Sequence, residues 1–121
     1  MKRKILFLVF TDSACIQNHA FMYAIDLHKA GHETKLILEG KGTLALRRLA
    51  KGDERFIGFY KAACEKDILV GACRKASGGC VDEKDSVQDI ANQYSIELLD
   101  DLMGHAGITK YVDEGYEVIT F

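Results

Sequence analysis

Lys4-Ile-Leu-Phe-Leu-Val-Phe10 is an almost unbroken apolar run that leads straight into Thr11-Asp-Ser13. A strand with one face in water alternates apolar and polar residues. A continuous run instead reads as a strand covered on both faces, which is the habit of parallel sheets. The competing reading is a signal peptide, because Met1-Lys-Arg-Lys precedes the run. Ile5–Phe10 is too short for an apolar signal core of about 7–15 residues, and no small-residue cleavage site follows. No window approaches the ~18 apolar residues of a membrane span. The expectation is therefore a buried strand in a cytoplasmic protein. That compartment is reducing, so cysteines are expected as thiols or ligands and not as structural disulfides.

Outward from this strand the chain alternates. A helix is expected over Ile16–Ala30, with Phe21, Ala24, Ile25 and His28 on one face and Gly31 as its stop. A second strand over Thr34–Leu38 ends in Glu39-Gly-Lys-Gly42. A short helix over Thr43–Lys51 closes at Gly52, and a third helix over Glu54–Glu65 buries Phe56, Phe59, Tyr60 and Ala63. Ile68–Ala72 is the third strand, followed by a long loop over Cys73–Asp85. Ser86-x-x-Asp89 is a capping box for a helix whose face is Val87, Ile90, Ala91 and Tyr94. Ser95–Leu99 is a fourth strand. Gly104–Glu114 is a last helix with Ile108, Tyr111 and Val112 inward, stopped by Gly115, and Tyr116–Phe121 is strand five.

Five strands joined by helical crossovers predict a single α/β domain over residues 1–121. Its architecture is a three-layer αβα sandwich on a five-stranded parallel sheet. The 121 residues suffice for one core, and 48% apolar with 28% charged residues is ordinary for a globular chain. The net charge of −2 comes from interspersed acids and bases. No basic stripe predicts nucleic acid, and no apolar span predicts a membrane. The chain has no proline, so glycine must carry most of its breaks.

Right-handed crossovers place every strand-to-helix loop on one edge of the sheet, where ligands of open α/β sheets bind. Thr11–Cys15, Glu39–Thr43, Cys73–Cys80 and Asp101–His105 should therefore share a rim. Its candidate binding residues are Asp12, Ser13, Cys15, Gly40, Gly42, Thr43, Arg74, Ser77, Gly78 and Gly79. Cys73 falls at the strand end, with Arg74 and Lys75 beside it to lower its pKa. It is either a nucleophile or sulfur carrier, or a small buried hydrophobe. Cys80 is either a resolving thiol or incidental. Cys15 starts a helix, where the dipole favours a thiolate, or else it is a packing residue at that helix's N-terminus. His105 is a base, relay or ligand, or else a helix-start residue making a local hydrogen bond. His19 is a weaker rim candidate. His28 and His32 read as structural or solvated, and Cys64 reads as buried and non-functional.

Cys15, Cys73, Cys80 and His105 could make a tetrahedral metal site, although no tight ligand spacing supports it. Gly40-Lys41-Gly42-Thr43 resembles a phosphate loop but lacks the Walker spacing, and no G-x-G-x-x-G follows strand one. A tight strand-to-helix turn accounts for it, and no cofactor is expected.

The chain resembles the DsrE/DsrF-like sulfur-relay family across nearly its whole length. Four stretches carry the likeness in order: Lys4–Phe10 with its small-residue loop, Ala30–Gly42, Ile68–Cys73 and Gly115–Phe121. The resemblance implies a small α/β subunit of a trimer or hexamer. It also implies a persulfide carried on the cysteine after the third strand, here Cys73, with sulfur donor and acceptor proteins as partners. The longer loop with Cys80 and the Gly104-His105 segment depart from the family pattern. The expected function is a sulfur relay through Cys73, with Cys80 and His105 assisting, and a sulfurtransferase activity is open. The alternatives are a non-catalytic ligand-binding or partner-binding module of the same fold and, more remotely, a metal site on the rim.

Overall fold

The computed structural model describes residues 1–78 and 86–121. β1 (Lys4–Val9) leads to α1 (Ala14–Lys29), β2 (Glu33–Leu38), a 3₁₀ turn (Gly40–Ala45), α2 (Leu46–Ala50) and α3 (Glu54–Glu65). β3 (Leu69–Cys73) runs directly into α4 (Arg74–Gly78). The chain continues through α5 (Val87–Gln93), β4 (Leu98–Leu99), α6 (Thr109–Asp113) and β5 (Glu117–Thr120). The strands form one parallel sheet in the order β4-β3-β2-β1-β5.

β1 lies inside this sheet, and Ile5 to Val9 are all buried. Its alternate residues feed two cores. Ile5, Phe7 and Val9 join Phe21, Phe56, Leu46 and Ile90 on the face covered by α1, α2, α3 and α5. Leu6 and Leu8 join Ile37, Cys73, Ala106 and Tyr116 on the face covered by the chain around α6. The topology accounts for this division. The chain steps β1-β2-β3-β4 in one direction, so right-handed crossovers put those helices on one face. It then returns to pair β5 with β1, which puts α6 on the other face. The three-layer αβα sandwich is as expected.

Helix exits replace the missing prolines. After α1, α2, α3, α5 and α6 the chain turns through a left-handed residue: Gly31, Gly52, Asp67, Ser95 and Gly115, with φ of 98°, 74°, 56°, 56° and 86°. Each turn carries the same pair of backbone bonds. At α3, for example, Asp67 N–H donates to Cys64 O, and Ile68 N–H donates to Ala63 O. This is the Schellman arrangement, and after α3, α5 and α6 the residue that follows, Ile68, Ile96 or Tyr116, re-enters the core. The three glycine stops were expected. The Asp67 and Ser95 stops were not, because non-glycine residues seldom adopt this conformation.

Three boundaries move for related reasons. Strand four shrinks from Ser95–Leu99 to Leu98–Leu99, because Ser95 and Ile96 belong to the α5 stop, where Ile96 N–H donates to Ala91 O. The last helix begins at Thr109 and not at Gly104. Leu102 and His105 exchange both backbone hydrogen bonds across Met103 and Gly104, whose φ are 50° and 90°. That is the geometry of a two-residue hairpin turn. The loop expected over Cys73–Asp85 opens instead as α4. Helix two, expected over Thr43–Lys51, starts earlier as the 3₁₀ turn at Gly40 and ends with α2 at Ala50. Among the inward residues expected for the last helix, Val112 is exposed, while Ile108 and Tyr111 pack on the second core.

Two substitutions test this account. A Cβ on Gly42 would lie 1.9 Å from Val9 O. Gly42→Ala must force the 3₁₀ turn off β1, and it is expected to cost about 1–3 kcal/mol or more in urea unfolding. Ser95→Gly relieves a left-handed side-chain-bearing residue while loosening the unfolded chain. The expected net gain is about 0.5–1 kcal/mol in the same measurement.

Candidate functional site

The carboxyl ends of β2 and β3 and the turn after β4 bring three chemically distinct side chains together. Glu39 is the first residue beyond β2, Cys73 is the last residue of β3, and His105 closes the hairpin turn. Cys73 Sγ lies 3.3 Å from His105 Nδ1, and Glu39 Oε1 lies 3.9 Å from the same nitrogen. One donor atom from each of the three falls within 4.8 Å of the others.

Local structure fixes each member. Cys73 sits immediately before α4, and Ala76 N–H donates to its sulfur at 3.5 Å, in the manner of a helix-capping oxygen. Ser77 Oγ donates to Cys73 O at 2.7 Å, tying the helix back to the strand. Glu39 Oε1 accepts from Gly40 N–H at 2.7 Å, which orients the carboxylate. The turn carrying His105 is held by the two Leu102 bonds and by Lys75 N–H donating to Gly104 O. Gly104 is left-handed there, so a side chain at that position would strain the turn. Asp101 Oδ1 accepts from Gly107 N–H and braces the far side.

The thiol is fully buried, and Glu39 is only 9% exposed, whereas the His105 side chain is 45% exposed. The cluster therefore has a closed floor and one side open to water. Burial pushes the Cys73 thiol above its usual range. The Ala76 N–H opposes this, the Glu39 carboxylate adds to it, and the Ala106 N–H opposes it. The expectation that Arg74 or Lys75 would lower this pKa does not survive. Arg74 Nε turns outward to Asp100 Oδ2 at 3.1 Å, and burial outweighs the favourable hydrogen bonds.

The other rim candidates divide. Ser13 caps α1, its Oγ accepting from Ile16 N–H, and Asp12 beside it is exposed. Cys15 is exposed and lies 3.8 Å from His19 Nδ1, one turn along the same helix, outside the Glu39–Cys73–His105 group. The Gly40–Thr43 loop satisfies itself. Gly40 N–H is taken by the Glu39 carboxylate, Gly42 N–H by Glu39 O, and the Thr43 hydroxyl donates to Gly40 O. It is a tight turn and not a phosphate cradle. Ser77 is buried with its hydroxyl on the Cys73 carbonyl, and Gly78 ends α4. Gly79 and Cys80 lie outside the described residues.

Cys64 was expected to be buried but is exposed. It lines a groove of about 460 Å³ with Tyr60, Leu69, Tyr94 and Glu97. That groove lies at the amino end of β3, across the sheet from the rim. Glu39 is the member that sequence reasoning did not single out. Its only local signal is a carboxylate placed where a buried strand ends.

No protein-family model matches the chain, and no solved structure matches it significantly. An uncharacterized protein of Archaeoglobus fulgidus is 38% identical over 52 residues, covering 43% of this chain and 85% of that protein. The chain belongs to the same family as that protein. An uncharacterized protein of Methanocaldococcus jannaschii is 25% identical over 122 aligned positions, covering 96% of this chain and 93% of that one. Neither relative's name states an activity. Among the described residues, no helix is long and apolar enough to cross a membrane.

Exposure and the raised pKa set an order of reactivity. Iodoacetamide at neutral pH is expected to modify Cys15 well before Cys73. Because the Cys73 pKa is raised, its thiolate fraction is below that of an ordinary cysteine, and its rate should keep climbing as pH rises past the usual thiol pKa of ~8.5. Peptide mass spectrometry across a pH series reads both trends.

Proposed function

We propose that this protein is a cytoplasmic sulfur-relay protein that carries a persulfide on Cys73, as its likeness to the DsrE/DsrF-like family implies. The observation that carries the reading is the 3.3 Å approach of His105 Nδ1 to the Cys73 sulfur at the carboxyl end of β3. A buried thiol with a raised pKa needs a base beside it, and imidazole is the side chain best suited to accept a proton near neutral pH. With Nδ1 unprotonated, His105 takes the Cys73 proton. The thiolate then attacks the outer sulfur of a donor persulfide. A new Sγ–S bond forms, the donor S–S bond breaks, and the donor leaves as a thiolate that takes up the proton. Cys80 is the candidate thiol to receive the sulfur next.

A protein partner suits the rim better than a small polar substrate does. Phe10, Ile16, Leu102 and Met103 stand 45%, 44%, 53% and 88% exposed on the rim segments. Large apolar side chains left in water on one edge are a common mark of docking surfaces. The family likeness further implies a homo-oligomer, a trimer or hexamer. A second reading, a binding module without chemistry, is favoured by one observation: Cys73 has no exposure in the free fold. On that reading a Cys73→Ala variant keeps every partner contact.

Loading with a low-molecular-weight persulfide donor, in the presence of chelator, tests the relay. A mass gain of about 32 Da, one sulfur atom, is expected on the peptide containing Cys73. His105→Gln should slow loading by about 100-fold, the loss of a positioned base. Absence of the adduct from Cys73 in folded protein overturns the relay.

A further inference from the structure

We propose that Glu39, Cys73 and His105 form a three-ligand site for a zinc-class divalent cation, with its fourth position open to water. The inference goes beyond the relay reading and does not depend on it.

The donor set points to this class. A thiolate sulfur, an imidazole nitrogen and a carboxylate oxygen are the three ligand types that zinc takes. Sites with three protein ligands keep a fourth place for water. The distances come close to the spacing such a cation requires. Zinc bonds of about 2.3 Å to sulfur and about 2.0–2.2 Å to nitrogen and oxygen put tetrahedral ligands roughly 3.3–3.7 Å apart. Sulfur to nitrogen is 3.3 Å here, nitrogen to carboxylate oxygen is 3.9 Å, a little beyond that range, and all three atoms lie within 4.8 Å of one another, so the ligands need only a small inward shift. The open side matches too, because the exposed part of the cluster is the His105 ring.

Direction favours a cation over a hydrogen-bonded triad. In a nucleophile relay the acid binds the ring nitrogen remote from the thiol, to hold the imidazole in one tautomer. Here Glu39 and Cys73 both face Nδ1. Three donor atoms lie within 4.8 Å of one another, two of them on buried residues, so they surround one position, and the acid does not hold the ring from its far nitrogen. Supporting contacts hold the ligands in place, as metal ligands require. The Gly40 N–H fixes the carboxylate and the Ala76 N–H fixes the sulfur. Binding displaces the Cys73 proton to solvent, so the bound state is a thiolate and affinity rises with pH. A metal on Sγ and a persulfide on Sγ exclude each other, so the cation would also hold the relay off.

Titration of the reduced, chelator-stripped full chain with Zn²⁺ and with Co²⁺ tests the site. One equivalent should bind, and the cobalt form should show a thiolate-to-cobalt charge-transfer band. Cys73→Ser should abolish the band. Glu39→Gln, which keeps size and shape, should lower zinc affinity at least about 10–100-fold, the loss seen even for outer supporting groups. Cys15→Ser should leave both readouts unchanged, which separates the site from the Cys15–His19 pair. No stoichiometric binding by the folded wild-type chain overturns the proposal. So does binding that persists at full affinity in folded Glu39→Gln, or a charge-transfer band that follows Cys15. Because no sulfur donor is present, these outcomes are independent of persulfide loading.

Discussion

The burial of β1 on both faces is the constraint from which the rest of the structure follows. Five successive residues, Ile5 to Val9, are shielded from water although a strand points them alternately to opposite sides. One helical layer cannot do that. Residues Lys4–Val9 must be flanked by strands and roofed above and below, which β2, β5 and the two helical layers accomplish. Each large apolar side chain buried contributes about 1.5–3 kcal/mol before the chain entropy that opposes folding is counted.

Parallel pairing around β1 has a chemical consequence. All strands point the same way, so β2, β3 and β4 end on one edge. Glu39, Cys73 and His105 reach each other although they are far apart in the chain. The thiol belongs to the second apolar core, and its sulfur also meets the acid and the imidazole. That double role explains its raised pKa: the same packing that holds the sulfur in place removes the water that would solvate a thiolate. A thiolate at such a position depends on a neighbour that offsets its charge, whether a base holding the proton or a cation.

The sequence was most legible where one local force dominated. The run Lys4–Phe10, the stripe of α3 and the Ser86 cap of α5 each express burial or capping within a few residues. It was least legible where a residue was used against its preference. Ser95 ends a helix in a conformation usually left to glycine, and the strand expected there shortened accordingly. Met103-Gly104 makes a hairpin turn without the usual Asn-Gly signal, and a helix was expected in its place. At the site, Cys73 and His105 were marked by their chemistry, whereas Glu39 was one acid among 18 Asp and Glu residues.

By itself the sequence determined the class of fold, the order of strands and helices, and the edge on which the strand-end residues would gather. Hydrophobic periodicity and the handedness of crossovers are carried by local sterics and by burial, and both can be read from residue types. Only the tertiary structure decided which side chains meet. Arg74 turned away to Asp100, Cys15 stayed with His19, and Glu39 moved in beside Cys73 and His105. Those distances are set by strand register, by the close approach of Gly42 to Val9, and by the two bonds that close the Leu102–His105 turn. The register and the Gly42–Val9 approach join segments distant in the chain, and local sequence preferences do not fix such contacts.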